Sequence, residues 1–544
     1  MDRHTSCNHK TRSRHLLTIT AFTVVSFSTQ LVAQDVMREE ESDPTNENLP
    51  LEPDRWVPID MTEGSWISLD VSPDGQTIVF DYLGDLFTMP ITGGTATQIT
   101  SGMAFDAQPR FSPDGAQVVY TSDHDGGQNI WVMSFDGSDP SQISTGKANR
   151  AESPEWLPSG DYVIASLGNF RGGALPKLKM FHIEGGGGIQ LVSEPDNLKM
   201  MGPAVSPDGR HIWYSRRTSD WTYNAQFPQY QIEAYDRETG ERYTKSARYG
   251  SAIRPTLSPD GHWLVFGTRH EDQTGLVLRN LETSEERWLA YPVQHDDQES
   301  RATLDLLPGM SFTPDSQHLV VSYGGKIWKL SIENGEVEEI PFQVKFDLAL
   351  GPQVNFDYPI EDTPTFTVRQ IRDASPSPSG DRLAFTALDR LWTSASDGSN
   401  PERLTDEDVS EHFPTWSPDG EWIAYSTWDG DEGHLYKARA NGRGDPIRLT
   451  EKAATYFSPA WGPGDRIVAV RGFVRSFKTQ GEGGTPGSEI VWVSANTDDD
   501  TGGTARLIAP TDRRANPHFV DGVDRIYLFR SPDILASIRW DGTD

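Results

Sequence analysis

The sequence predicts an all-β propeller chain, one complete six-bladed ring followed by a second, incomplete ring, and three observations carry that expectation. The first is a turn that recurs along the chain. It reads Ser72-Pro73-Asp74-Gly75, Ser112-Pro113-Asp114-Gly115, Ser206-Pro207-Asp208-Gly209, Ser258-Pro259-Asp260-Gly261 and Ser417-Pro418-Asp419-Gly420. Weaker copies stand at Leu157-Pro158-Ser159-Gly160, Thr313-Pro314-Asp315-Ser316, Ser377-Pro378-Ser379-Gly380, Gly462-Pro463-Gly464-Asp465 and near Val520-Asp521-Gly522. Each suits a type I turn, with Pro pre-setting φ at the second position and Gly closing the fourth. The second observation is the spacing of these ten copies, 40 to 64 residues, which is the period of a four-stranded propeller blade. The third is the pattern of residues after each turn. A β-branched and aromatic run such as Ile78-Val79-Phe80 or Ile423-Ala424-Tyr425 comes first, then a third strand such as Ile130-Trp131-Val132, then a Gly turn and a more polar fourth strand. The polarity of that last strand suits an outer edge.

Taken in order, residues 1–33 read as a secretory signal peptide: Arg3, Lys10, Arg12 and Arg14, an apolar stretch from Leu16 to Phe27, then Leu31-Val32-Ala33. The apolar stretch is too short for a membrane span, which needs ~20 residues. Residues 34–59, with Glu39-Glu40-Glu41 and scattered Pro, read as an acidic disordered lead-in. Six turn copies place a six-bladed ring over 60–340, and the longest spacing, from Thr313 to Ser377, marks a connection over 341–374. Four copies remain for a second propeller over 375–544, whose last blade reaches Trp540-Asp541-Gly542 without a fourth strand. Single rings carry roughly four to eight blades, so ten argue for two rings.

The chain has 80 acidic against 48 basic residues, a net charge of −32. Loss of residues 1–33, with four basic residues and Asp2, would take it to −35. Such a surface repels nucleic acid and anionic lipid, which excludes both as expected partners. The single cysteine, Cys7, lies in the leader, so the mature chain would have neither disulfide nor thiol chemistry.

The blade signature, seen best in Phe111-Ser112-Pro113-Asp114-Gly115, Ser122-Asp123 and Gly127-Gln128-Asn129-Ile130-Trp131-Val132-Met133, resembles the repeat of TolB-type β-propellers. Related repeats occur in tricorn-like and prolyl-oligopeptidase-like peptidases. Further stretches, including Gly64-Ser65-Trp66-Ile67-Ser68-Leu69-Asp70, Arg301-Ala302-Thr303-Leu304-Asp305, Phe366-Thr367-Val368-Arg369-Gln370-Ile371-Arg372-Asp373 and Ser537-Ile538-Arg539-Trp540-Asp541-Gly542-Thr543-Asp544, resemble the N-terminal propeller region of exported propeller–amidohydrolase fusion proteins. That resemblance implies an exported, periplasmic or secreted, binding or substrate-gating module. It would be the front part of a longer protein whose amidohydrolase domain lies downstream, and alone it would hydrolyse no amide substrate. The alternatives are a non-catalytic periplasmic scaffold of Tol-Pal type and the propeller half of a peptidase. The expected partner is a protein or peptide-like ligand at a propeller mouth, or a downstream catalytic domain.

No catalytic constellation is legible in the chain. None of the 13 histidines has another two residues away, and no His-Glu-x-x-His, nucleophile elbow or phosphate loop occurs, so no catalytic residue, metal or cofactor is assigned. The run Gln294-His295-Asp296-Asp297-Gln298-Glu299-Ser300-Arg301 offers oxygen ligands but lacks the spacing of a calcium loop, and a solvated or ring-bridging loop is the simpler expectation. Binding residues are expected where each blade's first strand begins, because those loops gather at one mouth of a propeller channel. They are Asp106, Gln108, Glu152, Arg254, Arg372, Asp373, Glu411 and His412, with Asn516 in the last blade. Strand capping and hydrogen bonding between blades is the competing role for each.

The leader makes a direct test: N-terminal sequencing of the exported protein is expected to begin at or near Gln34. An intact Met1 in a membrane fraction would contradict it.

Overall fold

In the computed structural model of the chain, the described residues are 52–169, 174–220, 227–352, 358–360, 362–480, 487–496, 503–530 and 534–543. The expected leader and residues 34–51 of the acidic lead-in lie outside them. Among the described residues no helix is long and apolar enough to cross a membrane.

The recurring turn works as its residues demand. In the first copy Gly75 N donates to Ser72 O at 2.8 Å, Ser72 Oγ donates to Asp74 Oδ1 at 2.6 Å, and the Thr77 N–H donates back to Ser72 Oγ at 2.9 Å. Gly75 sits at φ 72°, a left-handed conformation that glycine adopts without a steric penalty. Thr313 repeats the network with Asp315, and there Ser316 takes the left-handed place at φ 59°. Each turn joins the first and second strands of one blade. The ten blades begin with the strands Leu69–Val71, Ala107–Phe111, Asn149–Trp156, Leu198–Val205, Ile253–Leu257, Ser311–Phe312, Arg372–Pro376, Ser410–Trp416, Thr455–Gly462 and Arg514–His518. The first nine blades are four-stranded, with each strand antiparallel to the next, and the tenth pairs three strands.

Blades 1 to 6 close on themselves. Leu69 N donates to Gly309 O at 3.1 Å and Ser322 Oγ donates to Ile67 O at 2.6 Å, across the seam from blade 6 to blade 1. The apolar cluster there joins Ile67, Leu69, Ile78 and Phe80 to Val320 and Ile327. An unexpected element lies over that seam. Arg55–Met61 pairs antiparallel along its whole length with Phe342–Leu350, and the latter pairs in parallel with Gly94–Thr95. The expectation of disorder reaching residue 59 and of a linker beginning at 341 is therefore corrected at Arg55–Met61 and Phe342–Leu350, which are strands of the first ring. The reason is apolar alternation within a polar composition, since Phe342, Val344 and Phe346 face inward onto Phe80, Tyr82 and Phe87 while Lys345 and Asp347 face out.

Blades 7 to 10 pack in sequence. Ala384 and Leu391 meet Trp416 and Tyr425, Leu435 and Leu449 meet Ile467 and Val491, and Val468 and Ile490 meet Ile526 and Leu528. No buried apolar cluster among the described residues joins blade 10 to blade 7. Large apolar side chains are exposed on both, at Ile371 and Leu388 and at Phe529, Ile534 and Leu535. Among the described residues the second array is an open arc.

Replacing Phe342 by Ala in the seam strand is expected to cost about 3–5 kcal/mol, the usual range for emptying a buried aromatic site. Chemical denaturation followed by tryptophan fluorescence should show this as destabilisation of the ring, with the arc transition unchanged. A loss below about 1 kcal/mol would mean that the strand pair is peripheral to ring closure.

Candidate binding site at the channel mouth

One local device aims side chains at the axis. Proline is the residue after Gln108, Ser153, Gly202, Arg254, Phe413, Ser458 and Asn516, and it lacks the N–H that a central strand needs. The first strand bulges there: pairing shifts register between Ala107 and Arg110, Glu152 and Glu155, Met201 and Ala204, and Ile253 and Thr256 in the ring. The same shift occurs between Arg372 and Ser375, His412 and Thr415, Phe457 and Ala460, and Ala515 and His518 in the arc. The residue before the proline takes a left-handed conformation, with φ between 45° at Ser458 and 58° at Gln108, and Asp373 does so at 54° without a following proline. At four of these positions the residue's own N–H finds an acceptor in the preceding blade. Gln108 N donates to Asp81 Oδ2 at 2.8 Å, Ser153 N to Gln108 Oε1 at 2.8 Å, Arg254 N to Ser215 Oγ at 2.9 Å and Phe413 N to Asp373 Oδ2 at 3.3 Å. At Gly202 a Cβ would stand 2.8 Å from Asp305 Oδ2, so a side chain there would intrude on the axis.

In the ring these residues converge into a filled channel. Ser153 Oγ hydrogen-bonds Asp305, Arg254 Nη1 stands 2.8 Å from Asp305 Oδ2, and Leu306 N donates to Asp305 Oδ1 at 2.6 Å. Towards the turn side, Arg110 Nη1 donates to Leu69 O at 2.7 Å and Arg110 Nε stands 3.4 Å from Glu155. A cavity of about 110 Å³ remains between Asp70, Arg110, Glu155 and Arg254.

Beside this column lies a buried polar cluster with unmet hydrogen-bonding capacity. Arg150 Nε lies 2.9 Å from Glu152 Oε1, yet neither Glu152 oxygen accepts a hydrogen bond, and the residue is 0% exposed. Ser166, opposite Glu152 in the strand pair, has a buried hydroxyl without a partner. So do the Tyr230 hydroxyl and both amide atoms of Gln298. Arg217 connects the last two, standing 5.3 Å from the Tyr230 ring centroid and donating to Gln298 O at 3.5 Å. Lys199, also fully buried, donates to Arg301 O at 2.7 Å and to Asp220 Oδ1 at 3.3 Å. Burial pushes the Glu152 carboxyl up from its ordinary range, and Arg150 and Lys199 oppose that rise. Each unmade buried hydrogen bond costs about 1–3 kcal/mol, so such a concentration marks a site.

The expected binding residues fall into separate environments. Gln108, Arg254 and Glu152 belong to the ring axis. Asp106, two residues before Gln108, lies buried between blades 1 and 2 beside Asp85, where burial raises its carboxyl. Arg372, Asp373, Glu411 and His412 belong to the arc. The Glu411 carboxylate is buried, accepting from Leu391 N at 2.8 Å and from the Thr405 hydroxyl. Asn516 accepts from Ser458 Oγ at 3.1 Å. Arg372 borders an open cleft with Phe366 and Leu388, and His412 lines an aromatic cavity with Phe413. In the 294–301 run, Asp296 and Glu299 are paired with Arg269, and Gln298 is buried with both amide atoms unpartnered. Residues that sequence reasoning passed over are Asp81, Arg150, Ser153, Lys199 and Asp305, while Gln298 stood in the run expected to be a solvated or ring-bridging loop. A signal for Ser153 was present, because the X-Pro pair stands three residues before the blade turn in seven of the ten copies.

This architecture defines an all-β propeller built from repeated four-stranded blades. Residues 70–231 match the model of the tricorn protease N-terminal beta propeller domain family. Similar curated proteins include an uncharacterized protein of Agrobacterium fabrum, 34% identical over 97 residues, covering 17% of this chain and 33% of that one. Tricorn protease homolog 1 of Streptomyces coelicolor is 27% identical over 155 residues, covering 26% of this chain and 14% of that one. The Tol-Pal system protein TolB of Desulfosudis oleivorans is 30% identical over 99 residues, covering 16% and 20%. The matches thus span a third or less of the length of these relatives. The chain is a β-propeller protein whose repeats are similar to those of TolB and of the tricorn N-terminal propeller.

The Asp85–Asp106 pair sets a pH dependence. Burial, then the neighbouring Asp106 charge, raises the Asp85 carboxyl to about 7, and its Oδ1 has no partner. Unfolded chain releases this proton near 3.8 while folded chain holds it to about 7, so stability from this group falls as pH rises across that window. Asp85→Asn removes the titration. Thermal melts should show the variant gaining on the parent by on the order of 2 kcal/mol between pH 5 and pH 8, and a difference independent of pH would refute the assignment.

Proposed function

We propose that the protein is a binding module that recognises a polar, peptide-like ligand at the mouth of the six-bladed ring, in the service of a hydrolytic activity. The observation that carries this reading is the group of buried polar atoms without a hydrogen-bond partner on Ser166 and Gln298, beside the Arg150–Glu152 ion pair and the Tyr230 hydroxyl. They offer both donors and acceptors, as the N–H and C=O groups of a peptide require. The filled axis favours capture at the mouth over passage through the ring, so any gating acts by holding a ligand. Hydrolytic service is supported by likeness to a tricorn protease homolog, and the resemblance of Gly64–Asp70 and Phe366–Asp373 to propeller–amidohydrolase fusions makes an amidohydrolase the finer form of the proposal. Export to the periplasm is the reading that the leader pattern supports. A Tol-Pal-type scaffold is the second reading, favoured by the TolB match.

The test is a thermal-shift titration of the full chain with tri- and tetra-alanine. Both are expected to raise the melting temperature, and Glu152→Gln combined with Gln298→Ala is expected to abolish the shift. No shift with the parent protein, or an undiminished shift in the double variant, would overturn the reading.

A further inference from the structure

The arc contains a second, chemically different cavity. It measures about 190 Å³ and is walled by the rings of Phe413, Trp428, Tyr456, Phe457 and Phe477, with the hydroxyl-bearing Ser426, Thr427 and Thr455 and His412 completing the lining. The rings meet at angles: Trp428 and Phe477 at 5.0 Å and 72°, Phe457 and Phe477 at 5.9 Å and 52°, Phe413 and Phe457 at 6.1 Å and 67°.

Two departures from the blade plan build this box. Phe413 is the left-handed bulge residue of blade 8, the position that carries polar side chains in Gln108, Ser153 and Arg254. The roof comes from an insertion between the strands Arg466–Gly472 and Glu489–Ser494 of blade 9, which contains the helix Val474–Gln480. In blade 1 the corresponding strands, ending at Tyr82 and starting at Asp85, are joined by two residues. The helix is fastened to blade 8 by Lys478, which bonds Asp431, and it lowers Phe477 between Trp428 and Phe457. An insertion of this kind must offset its ordering entropy, and what it creates is a half-open aromatic pocket.

Within that space Thr455 is 4% exposed and its Oγ1 has no hydrogen-bond partner. A hydroxyl both donates and accepts, so it asks for a polar atom on whatever fills the cavity. The volume is below the roughly 300–1,000 Å³ of a pocket that takes a whole small ligand, which limits the occupant to one side chain. Among the described residues no carboxylate lines the cavity, so none of them offers a cationic side chain a counter-charge. We infer that this cavity is an anchor pocket for an aromatic side chain with a polar edge, a tyrosine or tryptophan presented by a peptide, with Thr455 Oγ1 bonding the phenol or indole group. The inference rests on the reading of the chain as a peptide-binding module and places the specificity anchor in the arc.

The experiment is titration of the full chain with N-acetyl-L-tyrosinamide, N-acetyl-L-phenylalaninamide and N-acetyl-L-leucinamide, followed by ligand-observed NMR. The tyrosine amide should bind tighter than the phenylalanine amide by about three- to tenfold, the worth of one hydrogen bond, and the leucine amide weakest. Thr455→Val should erase the tyrosine preference at an unchanged melting temperature, and Phe477→Ala should weaken both aromatic amides about tenfold or more. Equal binding of all three amides, or tyrosine preference intact in Thr455→Val, would overturn the inference. Binding that survives Phe477→Ala but is lost in Gln298→Ala would place the ligand at the ring mouth, which sinks the anchor pocket and leaves the module reading standing. No binding of any amide alongside a positive alanine-peptide shift would do the same.

Discussion

A missing N–H organises the middle of this molecule. Proline in the first strand of most blades removes a ladder donor, the strand bulges to absorb it, and the preceding residue is turned left-handed with its own N–H pointing out of the sheet. That N–H must be paired somewhere buried, and the partners shown for Gln108, Ser153, Arg254 and Phe413 all come from the blade before. The bulge is therefore the joint between consecutive blades. It also fixes what can bind, because the residue that donates to its neighbour is the one whose side chain faces the axis.

The same joint has opposite consequences in the two arrays. In the closed ring six blades bring Asp81, Gln108, Ser153, Arg254 and Asp305 into one bonded chain, and the axis becomes a buried polar column. Breaking one member of such a column strands the others, so it resists change more than a surface network does. In the arc the first strand of blade 7 has no inner neighbour before it, and Arg372 and Asp373 stay exposed. Asp373 still accepts the Phe413 N–H, but at 3.3 Å and in an exposed setting that is a weaker bond than its ring counterparts at 2.8 Å.

Blade number and strand order were legible because turn chemistry is local: Ser, Pro, Asp and Gly each satisfy a φ or hydrogen-bond requirement within four residues, and ten copies give ten sheets. The strand pair over the ring seam was not, because Arg55–Met61 sits in an acidic, proline-containing segment and meets Phe342–Leu350 nearly 300 residues away. Composition read alone favours disorder there, and only the alternation of Phe342, Val344 and Phe346 hints otherwise. Of the site, Gln108, Glu152 and Arg254 were reachable from their place at blade entrances. Asp305 and Gln298 were not, since a polar run such as Gln294–Arg301 looks solvated until a tertiary contact buries it.

The two candidate surfaces divide binding labour by chemistry. The buried cluster in the ring holds dry, unpaired polar atoms among Arg150, Lys199 and Arg217, an environment that stabilises backbone-like groups and penalises an apolar side chain. The arc pocket holds aromatic rings around one hydroxyl, an environment that rewards an apolar body with a polar tip. Polar groups fix orientation in recognition sites while a buried aromatic anchor supplies most of the affinity. The repeated bulge position itself serves both arrays: glutamine, serine and arginine there join the polar column of the ring, and phenylalanine there becomes a wall of the arc pocket.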